Sequence, residues 1–182
     1  MCGRFQAMDK VTIAQIEGRA GGGGSELAAA MDMRFGVLGK TVINQMEVPL
    51  GILPGGGGTQ RIPRLVGRGR ALELILGADD LDAATAERWG YLNRAMSSEA
   101  IGPFVANLAR RIAGFPPEAV RLAKAAVDNA ERSLDVGLRE ENYRFEQLLR
   151  TADAAPTMRR FLDSGGQTRE GELRIGALNA EF

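Results

Sequence analysis

The chain contains no histidine. That absence removes Ser-His-Asp and Cys-His catalysis, and with them every histidine-based metal site. There is a single cysteine, Cys2, so no intrachain disulfide forms, and no other ligand type clusters beside it. A lone thiol fits a reducing, cytoplasmic setting. No charge of either sign is in excess: 23 Lys and Arg balance 23 Asp and Glu. The basic footprint of a nucleic-acid or anionic-membrane binder is therefore missing. No apolar run approaches the roughly 18 residues of a membrane span. The N-terminus lacks the apolar stretch of a signal peptide.

What remains is an ordinary globular composition, 45% hydrophobic and 25% charged. The 182 residues suffice for one domain with a real core, or a domain with a helical appendage. The 24 glycines are concentrated in two clusters. Val11 to Ile16 reads as a buried strand, Gly18 to Gly24 as a turn, and Ser25 to Asp32 as a helix rich in alanine and leucine. Met33 to Val37 and Val42 to Asn44 read as further extended pieces. A second glycine turn, Gly55 to Gly58, leads into a helix over Thr59 to Val66, and another covers Ala71 to Leu76. Asp82 is the natural N-cap of a short helix ending at Gly90, with a last strand over Leu92 to Ala95. From Ser98 on, the pattern predicts four helices, the second opened by Pro116 and Pro117. The tail after Gly165 is polar and expected to be loose. The boundary between the mixed and the helical part falls near Ser97, dividing the chain into residues 1–96 and 97–182.

The first cluster, Gly21-Gly22-Gly23-Gly24-Ser25-Glu26, has the composition of a flexible linker. A buried-type strand runs in and a good helix runs out, which argues instead for a built turn. Glycines there let backbone approach a ligand, and the free N–H groups of a helix start favour a negatively charged oxygen. Neither cluster has the spacing of a phosphate-binding loop, since Gly58 is followed by Thr59 and Gln60 with no lysine. Glu26 lies in the first helical turn, where a carboxylate is favourable on dipole grounds alone. Glu47 lies in the apolar stretch QMEVPLGILPGGGG. Spacing alone leaves both as ordinary charges or as a catalytic pair.

Two long strings shift the balance between these. VTIAQIEGRAGGGGSELAAAMDMRF and EVPLGILPGGGGTQRIPRLVGRGRALELILGADDLDAATAERWGYLNRA, in that order, resemble the two signatures of the crotonase (enoyl-CoA hydratase/isomerase) family. The resemblance runs from Lys10 over nearly the whole chain. It implies an α/β fold with a partial crotonase-like β-β-α spiral core, followed by a C-terminal helical segment for oligomerisation. It implies that the Gly23 N–H belongs to an oxyanion hole for a thioester oxygen and that Glu26 and Glu47 are the acid/base pair. Gly22, Gly24 and Leu50 are implied to contact the substrate. The implied reaction is addition of water to an enoyl-CoA, with no cofactor beyond the coenzyme A carried by the substrate, no metal, and a homo-oligomer, trimer or hexamer. The alternatives are an enoyl-CoA isomerase and a catalytically silent truncated or split-subunit homologue with an assembly role.

Three positions depart from the family pattern. Gln45-Met46-Glu47 stands where Gln-Pro-Glu is usual, Asn44 replaces a usual glycine, and Arg19 occupies a usually apolar position. The family's N-terminal third, which carries core strands and a second oxyanion donor, has no counterpart ahead of Lys10. The chain by itself is therefore expected to be a weak hydratase.

Overall fold

The computed structural model describes residues 2–179. These residues fall into two compact units, divided between Leu108 and Ala109. The first opens with a short helix, α1 (Cys2–Gln6), which the residue pattern does not predict. Strands β1 (Ile13–Ile16) and β2 (Arg19–Gly21) follow, then helix α2 (Gly23–Ala29). The next turn of chain repeats the order with β3 (Met33–Val37), β4 (Val42–Asn44), a 3-10 turn over Val48–Leu50, and helices α3 (Gly58–Val66) and α4 (Arg68–Gly77). A third turn adds β5 (Leu81–Asp82), α5 (Ala83–Trp89) and β6 (Arg94–Met96), and α6 (Ser98–Ala113) comes next.

Each turn lays its strands beside those of the turn before. One sheet has the order β1-β3-β6, the other β2-β4-β5. β1 and β3 are parallel with Ile13 opposite Met33, and β2 and β4 are parallel with Arg19 opposite Val42. The short β5 closes the second sheet antiparallel, with Ile43 opposite Leu81. This β-β-α advance is the expected spiral. Arg19–Gly21 was read as part of a turn and is a strand. Three residues are too few to show alternation, and only the pairing with β4 defines them.

β3 separates two apolar clusters. Phe35 and Val37 face Ile101, Phe104 and Leu108 of α6, with the Phe35 and Phe104 rings edge to face at 5.2 Å. On the other side of β3, a Cβ at Gly36 would lie 2.6 Å from Leu92 Cδ1, so only glycine admits that packing. Leu92 belongs to the larger cluster, which gathers Ile16, Ile43, Ile62, Leu74 and Tyr91. Full burial of a side chain such as Ile43 contributes about 1.5–3 kcal/mol.

Local signals explain the helix ends. The Asp82 carboxylate accepts from Thr85 N at 2.7 Å and starts α5, and Gly90, at φ 89°, ends it.

The second unit contains α7 (Pro117–Asp128), α8 (Leu134–Leu149) and α9 (Ala154–Asp163), with α8 packed on both neighbours. Ion pairs Arg139–Asp135, Arg144–Glu140 and Arg150–Glu146 run along α8 at i,i+4 spacing, acid first, the favourable orientation. Leu134, Leu138, Phe145 and Leu149 of the same helix are exposed. The tail expected to be loose instead forms α10 (Arg169–Leu173) and α11 (Ile175–Leu178), with Thr168 capping the former and Leu178 fully buried. Its last residues, 180–182, lie outside the described part. Among the described residues no helix is long and apolar enough to cross a membrane.

Candidate active site

The site is built where β2 turns into α2. Gly22 makes the corner at φ 53° and ψ −126°, a conformation that side-chain-bearing residues rarely adopt. Its N–H donates to Asn44 O at 3.0 Å on the neighbouring strand, and its carbonyl accepts from Glu26 N at 3.0 Å. A Cβ there would lie 3.1 Å from Glu47 Oε1. Gly22 is thus glycine for two reasons, its backbone angle and the carboxylate beside it. Gly23 and Gly24 open α2, and a Cβ on either would meet nothing within 4 Å beyond its chain neighbours and its own helix backbone. Their N–H groups belong to the first turn, which has no intrahelical acceptors.

Glu26 sits one turn along α2 and is 4% exposed. Its Oε1 accepts from Gly56 N at 2.7 Å and from Gly58 N at 2.8 Å. A Cβ at Gly56 would come within 2.6 Å of Glu26 Oε2. The second glycine cluster is therefore a cradle for the carboxylate that follows the first. Both N–H donors fall on Oε1, not on Oε2.

Glu47, 9% exposed, starts the 3-10 turn, and its carbonyl accepts from Leu50 N at 3.0 Å and Ile52 N at 3.2 Å. Glu47 Oε2 is buried and has no hydrogen-bond partner, and the same holds for both amide atoms of Gln45. Buried polar atoms without partners cost free energy and mark sites with a role to fill. Leu50, on the same turn, is 68% exposed.

Two of the three departures, Asn44 and Arg19, are tied together. Asn44 Nδ2 donates to Ala78 O, Asp79 O and Asp80 Oδ1 at 3.0–3.2 Å. Arg19 forks onto the Asp80 carboxylate at 2.6 and 2.5 Å. The Arg19 hydrogen bonds hold the Asp80 carboxyl below the usual carboxylate range. This network anchors β4, whose Asn44 carbonyl fixes the Gly22 corner. Among the described residues no group of three or more Cys, Asp or Glu side chains gathers to hold a metal ion.

The family model for enoyl-CoA hydratase/isomerase matches residues 2–169. The chain belongs to the enoyl-CoA hydratase/isomerase family. It is 40% identical over 160 residues to the crotonyl-CoA hydratase of Syntrophomonas wolfei, covering 87% of this chain and 61% of that protein. It is 35% identical over 161 residues to the short-chain-enoyl-CoA hydratase of Clostridium acetobutylicum, covering 88% and 61%. A solved enoyl-CoA hydratase from Bacillus anthracis superposes with a TM-score of 0.85 at 34% identity, over 89% of this chain and 63% of that one. The chain thus spans about three fifths of the length of these hydratases.

Of the hydratase-family residues singled out in the sequence, Gly22, Gly23, Gly24, Glu26 and Glu47 come together at the start of α2. Leu50 stands on the turn after Glu47, with its side chain mostly exposed. Sequence reasoning missed Gly56 and Gly58 as partners of Glu26. The clustering of glycines was visible, but nothing local linked it to a carboxylate 30 residues earlier.

Proposed function

We propose that this protein hydrates enoyl-CoA thioesters. The observation that carries this reading is the convergence of Glu26 and Glu47 on one helix start. Glu26 N is bonded to Gly22 O, while a Cβ on Gly22 would lie 3.1 Å from Glu47 Oε1. Glu26 Oε2 and Glu47 Oε2 are the oxygens not committed to the chain's own hydrogen bonds.

Two carboxyl groups so placed hold one water between them. One carboxylate takes a proton from the water as its oxygen bonds to the β-carbon. The π electrons of the double bond move toward the thioester, and negative charge develops on its oxygen. The Gly23 N–H faces that oxygen at a helix start and needs no rearrangement to stabilise it, a contribution on the order of 3 kcal/mol per donor. A proton from the other carboxyl then reaches the α-carbon, and the sum is addition of one water. Coenzyme A enters only as part of the substrate. The names of the crotonyl-CoA and short-chain-enoyl-CoA hydratase relatives point to a short acyl group. The exposed apolar side chains of α8 support assembly into a homo-oligomer.

The test is incubation of the chain with crotonyl-CoA in isotopically labelled water, with mass spectrometry of the product. Formation of labelled 3-hydroxyacyl-CoA is expected. Migration of a double bond without oxygen uptake would replace hydratase by isomerase, and no conversion of either kind would sink the reading.

A further inference from the structure

α2 carries both halves of the proposed chemistry, the Gly23 N–H and the Glu26 carboxylate. It has only 7 residues. An isolated helix of fewer than roughly 12 residues does not hold itself together in water. Its packing face offers Ala28 and Ala29 to the core. Methyl groups that small do little to fix where a helix sits along its own axis. Directional bonds at its two ends do more, and both lead to one residue.

That residue is Tyr91, fully buried just after α5. Its hydroxyl donates to Ser25 O at 2.8 Å and lies 2.9 Å from Ser25 Oγ. A phenol has one proton, so the Ser25 hydroxyl must be the donor in the second bond. Burial pushes the Tyr91 hydroxyl up to about 12, so it keeps that proton across the neutral range. Both bonds fall on the first turn of α2, between Gly23 and Glu26. The carbonyl of Tyr91 reaches the other end. It accepts from Arg34 Nε at 2.7 Å, and Arg34 Nη1 donates to Met31 O at 2.6 Å and to Ala28 O at 3.4 Å. Those carbonyls belong to the last turn of α2 and the residues just after it, where a cation is favourable. Arg34 is itself buried, so its guanidinium is committed to this arrangement.

We propose that Tyr91 is a positioning residue, holding α2 at both ends through Ser25 and Arg34 so that the Gly23 N–H and Glu26 stay in register with Glu47. The proposal deepens the hydratase reading and rests on it for its chemical consequence. Tyr91 touches no reacting atom. Loss of its hydroxyl frees the first turn of α2 and leaves the Arg34 end tied, so the oxyanion donor moves relative to Glu47. Misplacement of up to about 1 Å in such a site costs as much as a hundredfold in rate.

The test compares the full chain with Tyr91→Phe, Ser25→Ala and the double variant. Three readouts are taken: amide hydrogen exchange, kcat and KM with crotonyl-CoA, and the infrared carbonyl stretch of bound carbonyl-labelled butyryl-CoA. Tyr91→Phe should speed exchange in Gly23–Ala29 while leaving β3 amides protected. It should lower kcat roughly tenfold to a hundredfold with KM within about twofold. The bound carbonyl should shift less from its free frequency than in the parent, a signature that a smaller folded fraction does not produce. The double variant should lose no more than the worse single one, because the two hydroxyls act as a unit. Unchanged exchange in α2 overturns the clamp, whatever the turnover. Faster exchange with unchanged kcat and carbonyl stretch overturns its role in the chemistry. A parent chain that neither turns over nor polarises the carbonyl removes the hydratase reading instead, and the exchange data then decide the clamp alone.

Discussion

Gly56→Ala isolates the link between the second glycine cluster and the first glutamate. The new Cβ would lie 2.6 Å from Glu26 Oε2, 3.0 Å from its Cδ and 3.4 Å from its Cβ. Ordinary carbon contacts lie near 3.5–4.0 Å, so the carboxylate must retreat by about 1 Å. It cannot do so and keep Gly56 N at 2.7 Å and Gly58 N at 2.8 Å on the same oxygen. Overpacking of this kind costs about 1–3 kcal/mol, and hydrogen bonds to a charged group are worth a similar amount each. For a unit of this size each kcal/mol lowers Tm by roughly 4–8 °C. The rate should also fall by about a hundredfold, because Glu26 Oε2 is the proposed reacting oxygen. Gly55→Ala is the matched control, since its Cβ would meet nothing nearer than Leu53 O at 3.9 Å. Its stability should stay within about 0.5 kcal/mol of the parent. Crotonyl-CoA hydration and a thermal melt on both variants make the comparison. Gly56→Ala with parental rate and Tm would refute the cradle.

Gly22→Ala should destabilise by about 1–3 kcal/mol through its φ of 53° and disturb Glu47 Oε1, 3.1 Å away, lowering hydration as well as Tm. Asp82→Ala should cost about 1 kcal/mol through loss of the α5 cap, read by urea denaturation, with the rate unchanged. The folded-state pKa values of Asp80 and Asp82 are lowered, by Arg19 and by Thr85 N respectively. Their stabilisation is therefore complete above the ordinary carboxylate pKa of about 4 and is lost as pH falls through the folded values. Urea midpoints should fall between pH 5 and pH 2, roughly, and the fall should shrink in Arg19→Ala. Light scattering at micromolar concentration should show a homo-oligomer held by the exposed α8 side chains, and a sharp monomer would rule that out.

Local chemistry was legible where one short segment decides the outcome. β3 fell on the expected residues, and Asp82 and Gly90 bracketed α5 as capping rules require. α2 began at Gly23, two residues before the expected Ser25, because first-turn positions tolerate glycine. β2 was hidden among glycines, and α10 and α11 in a polar tail whose fully buried Leu178 carries no pattern by itself. The glutamates were legible as types, through the family resemblance. Their holders were not: Gly56 and Gly58 reach Glu26 across 30 and 32 positions, and Tyr91 reaches Ser25 across 66. Such partners follow from how successive turns of the spiral stack.

In the proposed reaction Glu26 and Glu47 act as a pair on one water. The most direct measurement is the initial rate of crotonyl-CoA hydration by the parent chain, Glu26→Gln and Glu47→Gln, with folding checked by circular dichroism. Each change keeps the side chain's shape and removes a proton-transfer group, so each should lower the rate by roughly a hundredfold or more while the fold survives. Hydration that persists unchanged in either folded variant would contradict the account.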